Sequence, residues 1–347
     1  MSGYVPGEQP TSRDVVKLNT NENPYPPSER VMSALREVDA ESLRRYPNPT
    51  ARGFRERAAG LHAVDPDQVI ATNGGDELLR LLVTTFVDPG RPIGYAEPSY
   101  SLYPVLSGIH DSPVHRAAMN EDWSLPADLA ARMNEAGVQL TFVVNPHAPS
   151  GVLTGTGVLG RLAEELEGVL VIDEAYVDFV DAAREHDAVE LVRGGGLDNV
   201  VLLRSMSKGY GLAGLRFGYG IGSRNLIEPM QVKTKDSYNT DAVSQRLAEA
   251  ALVDAAAAAA TWAKVRAERE RVRGELGSMG FESPQSQSNF ILATAPRGEA
   301  GDLYEKLKGR GVLVRHFDAD RLRDKLRVTI GTPAENDAFL EALREVL

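Results

Sequence analysis

Lys208 lies in Arg204-Ser-Met-Ser-Lys-Gly-Tyr-Gly-Leu-Ala-Gly-Leu-Arg216, directly after the apolar run Val200 to Leu203. A strand there delivers the hydroxyls of Ser205 and Ser207 and an amine to one point. The glycine-rich turn lets the backbone come close, and Arg216 follows on the next segment. That pattern reads as a phosphate grip built around a reactive lysine. An ammonium is a poor nucleophile until burial or a cationic neighbour removes its proton, and a lysine bound as an imine to an aldehyde cofactor avoids the difficulty. Pyridoxal phosphate is the cofactor that needs both an imine lysine and a phosphate cradle. A lone Ser-x-Ser-Lys is commonly an exposed lysine in a Ser/Gly loop. The residues upstream weigh against that alternative.

Val169-Leu-Val-Ile-Asp-Glu-Ala-Tyr176 puts Asp173 at the end of a buried strand, where an unpaired carboxylate is costly. A pyridinium nitrogen compensates it, and the carboxylate in turn keeps the ring protonated and able to withdraw electrons from a substrate α-carbon. Tyr176, three residues on, is placed to hydrogen-bond the ring's phenolic oxygen. Taken alone, Asp-Glu-Ala-Tyr also fits a helix cap.

A second phosphate element is Thr72-Asn-Gly-Gly-Asp-Glu77 ahead of the helical run Leu78 to Phe86. Backbone N–H groups at a helix start, preceded by glycines, form an anion site that would involve Gly75 and Asp76. An ordinary strand-to-helix turn is the alternative. Tyr100, in Glu97-Pro-Ser-Tyr-Ser-Leu-Tyr103, offers a flat ring to stack on a pyridine or simply to pack in a core. Arg315 and Arg327 flank β-rich runs near the C-terminus. An arginine inside a strand needs a partner, and a carboxylate or phosphate suits its fork, with Asp318 or Asp320 as structural alternatives for Arg315.

The elements that must position these groups follow from the apolar pattern. Short β-rich runs at Gln68 to Ala71, Gln139 to Val144, Val169 to Ile172 and Val200 to Leu203 alternate with helical stretches, which argues for an α/β fold with a mostly parallel sheet covered on both faces. Each run ends in Gly, Asn, Asp or Ser, at the strand ends where such sheets bind ligands. Residues 1–30, with Pro and Asn clustered in Leu18 to Ser28, read as an extended arm. Residues 31–240 form the large domain. Residues 241–280 read as a connecting helix, and 281–347 as a small α+β domain with strands at Asn289 to Ala293, Val312 to Arg315 and Leu326 to Ile330.

The 347 residues suffice for two domains, and 42% hydrophobic with 25% charged residues is ordinary globular composition. A net charge of -11 repels a phosphate backbone, so no nucleic-acid partner is expected. The absence of cysteine removes disulfides, thiolate metal sites and thiol nucleophiles; no metal is expected. No stretch is apolar enough for a membrane helix, and the polar N-terminus resembles no signal or transit peptide, so the expected location is cytoplasmic with no membrane association.

Assembled in order, the Asn19-Thr-Asn-Glu-Asn-Pro arm, Tyr46-Pro, Gly74-Gly-Asp-Glu, Asp173-Glu-Ala-Tyr, the Lys208 segment and Leu326-Arg-Val-Thr-Ile-Gly-Thr332 resemble the pyridoxal-phosphate aminotransferases of the aspartate aminotransferase fold, and within them the histidinol-phosphate aminotransferases. The likeness spans nearly the whole chain. It implies that Lys208 carries the cofactor and shuttles a proton, that Asp173 pairs with the pyridine nitrogen and Tyr176 with the ring oxygen, and that Tyr100 stacks on the ring. It further implies phosphate binding by Gly75, Asp76, Ser205, Ser207 and Arg216. Tyr46 would reach the phosphate from a neighbouring subunit, making a homodimer with shared sites. Arg327, assisted by Arg315, would hold the anionic end of an amino-acid or keto-acid substrate, with Asn21 to Tyr25 closing over it. One departure stands out. Asn145-Pro-His-Ala-Pro-Ser-Gly151 carries Ala148 where the family usually has the asparagine that binds the ring oxygen, so Tyr176 acts alone or Asn145 or His147 substitutes. The resemblance implies transamination of histidinol phosphate with 2-oxoglutarate. An aromatic amino-acid aminotransferase, a decarboxylase of a phosphorylated amino acid or specialised metabolite, and a non-catalytic binding protein on this fold remain as alternatives.

Overall fold

The computed structural model describes residues 3, 6–10, 14–296 and 300–347; the other residues of the expected N-terminal arm lie outside the described set. Twelve strands among these residues run in chain order as β1 Val16–Lys17, β2 Val69–Thr72, β3 Ile93–Glu97, β4 Val114–Ala118, β5 Leu140–Val144, β6 Val169–Asp173, β7 Val200–Ser205, β8 Gly218–Gly222, β9 Phe290–Thr294, β10 Val312–Leu313, β11 Arg315–His316 and β12 Lys325–Thr329. Seven of them form one sheet in the order β2-β8-β7-β6-β5-β3-β4, with only β8 antiparallel to its neighbours. The expected mostly parallel α/β sheet is what forms.

Both faces of this sheet are buried, which is why its strands are near-continuous apolar runs. Strand alternation divides the apolar side chains into two cores. Val143, Leu170, Ile172, Val200 and Leu202 join one. Phe142, Val144, Val171, Val201 and Leu203 join the other, together with Tyr100, Tyr103 and Tyr176. This division decides where every polar residue at the strand ends points.

The antiparallel strand β8, Gly-Tyr-Gly-Ile-Gly, is invisible to propensity because glycine is depleted in strands. Its glycines are needed for packing. A Cβ on Gly218 would come within 2.8 Å of the Gly74 carbonyl carbon and the Gly75 nitrogen, and one on Gly220 within 3.0 Å of Ile70 and Leu78. The backbone that carries the phosphate-binding candidates can therefore sit directly on β8.

The remaining strands form a three-stranded antiparallel sheet in the order β11-β12-β9 and a parallel pair β1-β10. The arm joins this second body: Val16 pairs with Val312, and Leu18 is buried in a core with Ile291, Val328 and Phe339. The helical stretch expected over 241–280 is two helices, Ala242–Val253 and Ala255–Ser278, interrupted at Asp254, whose φ of -109° and ψ of 36° leave the helical region. A short polar side chain that competes for backbone hydrogen bonds favours such a break.

Candidate active site

The carboxyl ends of β2, β6 and β7 place the candidate residues. Asp173, the last residue of β6, faces the core that holds Tyr100, Tyr103 and Tyr176, and it is only 5% exposed. Burial pushes its carboxyl up to about 6, while the Ala175 N–H, at 3.2 Å from Oδ1, and the Tyr103 hydroxyl, donating to Oδ2 at 3.0 Å, oppose that rise. A buried acid of raised proton affinity in an apolar wall is poised for a cationic heterocycle.

Lys208 follows β7 by three residues. Its amine donates to the Thr20 carbonyl at 2.9 Å and lies 6.0 Å from the centre of the Tyr176 ring. Burial first, and then the nearby Arg327 guanidinium, lower it from 10.5 to about 8. Glu22, ion-paired to Lys17, pulls the other way. An amine with this value is largely free at mildly alkaline pH, the form that attacks a carbonyl.

The phosphate candidates converge at the start of the helix Gly74–Phe86. Gly74 has φ of +78°, and a Cβ there would press to 2.8 Å from Nη2 of Arg216. Arg216, itself at φ of +55°, lies 3.5 Å from the Asp76 carboxylate, which also accepts from the Tyr100 hydroxyl at 3.2 Å. The Asp76 side chain is thus committed to Arg216 and Tyr100, and its backbone N–H is the group left to meet an anion at the helix start. Ser205 accepts from the Ser207 N–H at 3.2 Å, which holds the two hydroxyls adjacent. A corner of side-chain-free backbone, two serines and a guanidinium, beside a lysine of lowered proton affinity and a buried acid, fits an aldehyde phosphate on a pyridine ring.

The second body supplies the substrate candidates. Arg315 and Arg327 are register partners on β11 and β12. Arg327 donates to the Asn19 carbonyl at 3.1 Å and packs over the Phe290 and Phe317 rings, while Arg315 lies over Phe317 at 5.1 Å. Asn21, buried at φ of +57°, donates to the Tyr176 hydroxyl at 3.0 Å and binds Thr329 through its backbone N–H and side-chain oxygen. The arm is thereby tied to the candidate ring-oxygen ligand and to β12. Tyr25 packs instead beside the helix Ala255–Ser278, with the Lys264 ammonium 5.0 Å from its ring centre. Tyr46 is 81% exposed and stacks on Tyr238 at 4.4 Å.

The two candidate substitutes for Ala148 each have partners within the structure. Asn145 follows Val144 at the end of β5, and alternation sends its side chain to the face opposite Asp173. There it donates to the Thr154 carbonyl at 3.1 Å and accepts from the Thr154 N–H at 2.7 Å. It braces its own loop and does not reach the ring side. His147 is likewise engaged, with Nδ1 2.7 Å from the Ser150 hydroxyl and Nε2 2.8 Å from the Pro98 carbonyl. Both side chains are thus hydrogen-bonded to other protein groups, and Tyr176, whose hydroxyl accepts from the Asn21 amide, stands as the ring-oxygen candidate. Sequence reasoning also passed over Tyr103. Its signal was its place three residues after Tyr100, at the start of the helix Leu102–Ile109, among apolar residues.

Residues 13–343 match the family described as aminotransferase class I and II. The chain belongs to that family. A histidinol-phosphate aminotransferase of Trichormus variabilis is 43% identical over 348 residues, covering 100% of this chain and 97% of the relative, and one of a Nostoc species is 43% identical over 349 residues, covering 100% and 96%. The histidinol-phosphate aminotransferase of Sinorhizobium meliloti, solved in complex with pyridoxal 5'-phosphate, superimposes with a TM-score of 0.88 at 23% identity over 95% of this chain and 90% of that one. The fold of this aminotransferase is the aspartate-aminotransferase-like fold, and its cofactor is pyridoxal phosphate.

Proposed function

We propose that this aminotransferase exchanges an amino group between glutamate and the keto form of histidinol phosphate, with 2-oxoglutarate and histidinol phosphate on the other side of the equilibrium. The observation that carries the reading is that Arg327 and Lys208 donate to the adjacent arm carbonyls of Asn19, at 3.1 Å, and Thr20, at 2.9 Å, which puts an anion receptor beside the reacting lysine. The likeness of the whole chain to histidinol-phosphate aminotransferases supports a phosphorylated substrate.

When bound, the cofactor supplies a protonated ring that stabilises negative charge at the substrate α-carbon. Asp173 would hold the proton on the ring nitrogen, Tyr176 would donate to the ring oxygen and Tyr100 would pack against the ring. Gly75, the Asp76 backbone, Ser205, Ser207 and Arg216 would hold the phosphate. Lys208 would hold the cofactor's aldehyde end and move the proton to and from the substrate α-carbon. Arg327 and Arg315 hold the substrate's anionic end, and Asn21 keeps the arm against Tyr176. Tyr46, exposed on its own chain, completes the phosphate site of a second copy in a homodimer. The enzyme acts on small soluble metabolites in the cytoplasm; no helix among the described residues is long and apolar enough to cross a membrane.

Glutamate, histidinol phosphate, phenylalanine and threonine phosphate, added singly to the yellow protein, test the reading. Loss of the visible band with glutamate and histidinol phosphate supports it. A response to phenylalanine alone assigns an aromatic aminotransferase, and carbon dioxide release from threonine phosphate assigns a decarboxylase. Protein that takes up no cofactor is a binding protein.

A further inference from the structure

Glu174 and Arg204 each adjoin a site residue, Asp173 and Ser205, and alternation turns both to the opposite face of the sheet. There the Glu174 side chain is fully buried. Arg204 Nη2 lies 2.7 Å from one of its oxygens and His186 Nε2 lies 2.9 Å from the other, with the imidazole side chain 2% exposed. The second imidazole nitrogen is 3.3 Å from the Thr156 hydroxyl, and the Asn145 amide nitrogen is 3.4 Å from Nε2. Backbone bonds reinforce the cluster: the Glu174 N–H donates to Leu203 at 2.9 Å and the Asn145 N–H to Asp173 at 2.8 Å. The carboxylate thus ties the end of β6 to Arg204 at the end of β7 and to His186, while the Asn145 N–H bond to the Asp173 carbonyl joins the end of β5.

A buried ion pair adds little net stability over well-packed apolar residues, and its best-attested use is to specify one geometry. Burial opposes the charge on Arg204, and Glu174 more than any other group restores it, ahead of Tyr219, Asp178 and Asp187. We propose that Glu174 is a positioning residue: held by Arg204 and His186, it fixes the Asp173 carboxylate relative to Lys208 and so sets how firmly the bound pyridine nitrogen keeps its proton. This rests on the site assignment proposed above. Asp173 and Lys208 sit on the segments that leave β6 and β7, and the Glu174–Arg204 pair joins those segments beyond the last backbone bond between them, from the Glu174 N–H to the Leu203 carbonyl.

The test uses cofactor-loaded protein and the pH titration of its visible absorbance band, with kcat, KM and thermal stability measured alongside. Glu174→Gln keeps the shape and removes the charge. The expected result is a shift of the titration midpoint by about half a pH unit or more, with kcat lowered about tenfold and the amino-donor KM changed by less than about threefold. His186→Phe, which removes the donor facing Glu174 but leaves the ion pair, gives a smaller shift in the same direction. It is the variant to read if Glu174→Gln does not fold. A lowered melting temperature with midpoint and kcat within about twofold of the parent overturns the proposal, because a merely structural cluster acts on stability alone. Asp173→Asn serves as the control. If it too leaves the titration unmoved, the failure lies in the site assignment and not in the cluster.

Discussion

The Tyr103 hydroxyl donates to Oδ2 of Asp173 at 3.0 Å while its ring lies flat on Phe142 at 4.4 Å, so one aromatic side chain both walls in the acid and feeds it a hydrogen bond. Tyr103→Phe keeps the wall and removes the bond. A hydrogen bond to a charged group contributes about 1.5 to 3 kcal/mol and one to a neutral group about 0.5 to 1.5 kcal/mol. The cofactor-free variant should therefore lose more stability at pH 8, where Asp173 is ionised, than at pH 5, where it is largely protonated. Denaturant titrations at the two pH values measure this. An equal loss at both would mean that the hydroxyl does not serve the carboxylate.

Asp173 itself is stored strain in the cofactor-free protein. Its folded value of about 6 lies above the ordinary 3.8, so the fold binds the proton more tightly than the unfolded chain does. Stability from this group is present below the ordinary value and is lost as pH rises towards the folded one, a difference on the order of 3 kcal/mol. Asp173→Asn removes the ionisation, and its amide oxygen still accepts from Tyr103. The cofactor-free variant should be more stable than the parent at pH 8 by roughly 1 to 3 kcal/mol, with the gain vanishing near pH 4. It should also lose cofactor affinity. A variant no more stable at pH 8 would show that the buried acid carries no penalty for the cofactor to relieve.

Cofactor uptake should report the Lys208 amine directly. Only the neutral amine attacks an aldehyde, so the rate at which the visible band appears should climb through pH 8 and level off above it. Arg327→Ala takes away the guanidinium that helps hold the amine down. Its inflection should move to higher pH, slowing uptake at pH 7 several-fold while leaving the alkaline plateau intact. The same variant should raise KM for acidic substrates about tenfold or more, as expected for loss of a charge-assisted pair. An inflection that stays in place would separate Arg327 from the lysine.

The sequence reveals most where chemistry interrupts an apolar run. Asp173 and Lys208 were legible because an acid and a lysine at the ends of buried strands need a reason, and the β6 and β7 strands form over the expected residues. β8 was illegible because its glycines answer to backbone contact with Gly74 and Gly75, a long-range demand that no local preference records. The direction of Asn145 was left open because motif position alone does not say which face a side chain takes one residue past the end of β5, where it meets Thr154. Strand alternation, applied to Glu174 and Arg204, marks a buried pair that composition gave no cause to seek.

Arg321 joins the two bodies of the fold, and its backbone pays for the contact. Its guanidinium donates to the Met119 carbonyl at 2.7 Å and the Asn120 carbonyl at 2.8 Å and lies 4.5 Å from the Trp123 ring centre, clasping the large sheet's turn to the loop between β11 and β12. Its φ of +62° is a conformation that disfavours any residue with a Cβ by about 1 kcal/mol or more. Arg321→Ala loses the clasp and keeps the strain, whereas Arg321→Gly loses the clasp and relieves it. The glycine variant should therefore be the more stable of the two by about 1 kcal/mol, and both should be less stable than the parent. Because the loop leads into β12, the loss of the clasp should also raise the acidic-substrate KM in both variants, by less than Arg327→Ala does. Denaturation and steady-state kinetics on the three proteins decide it: an alanine variant as stable as the glycine variant would mean that the loop relaxes out of the left-handed region once the guanidinium is gone.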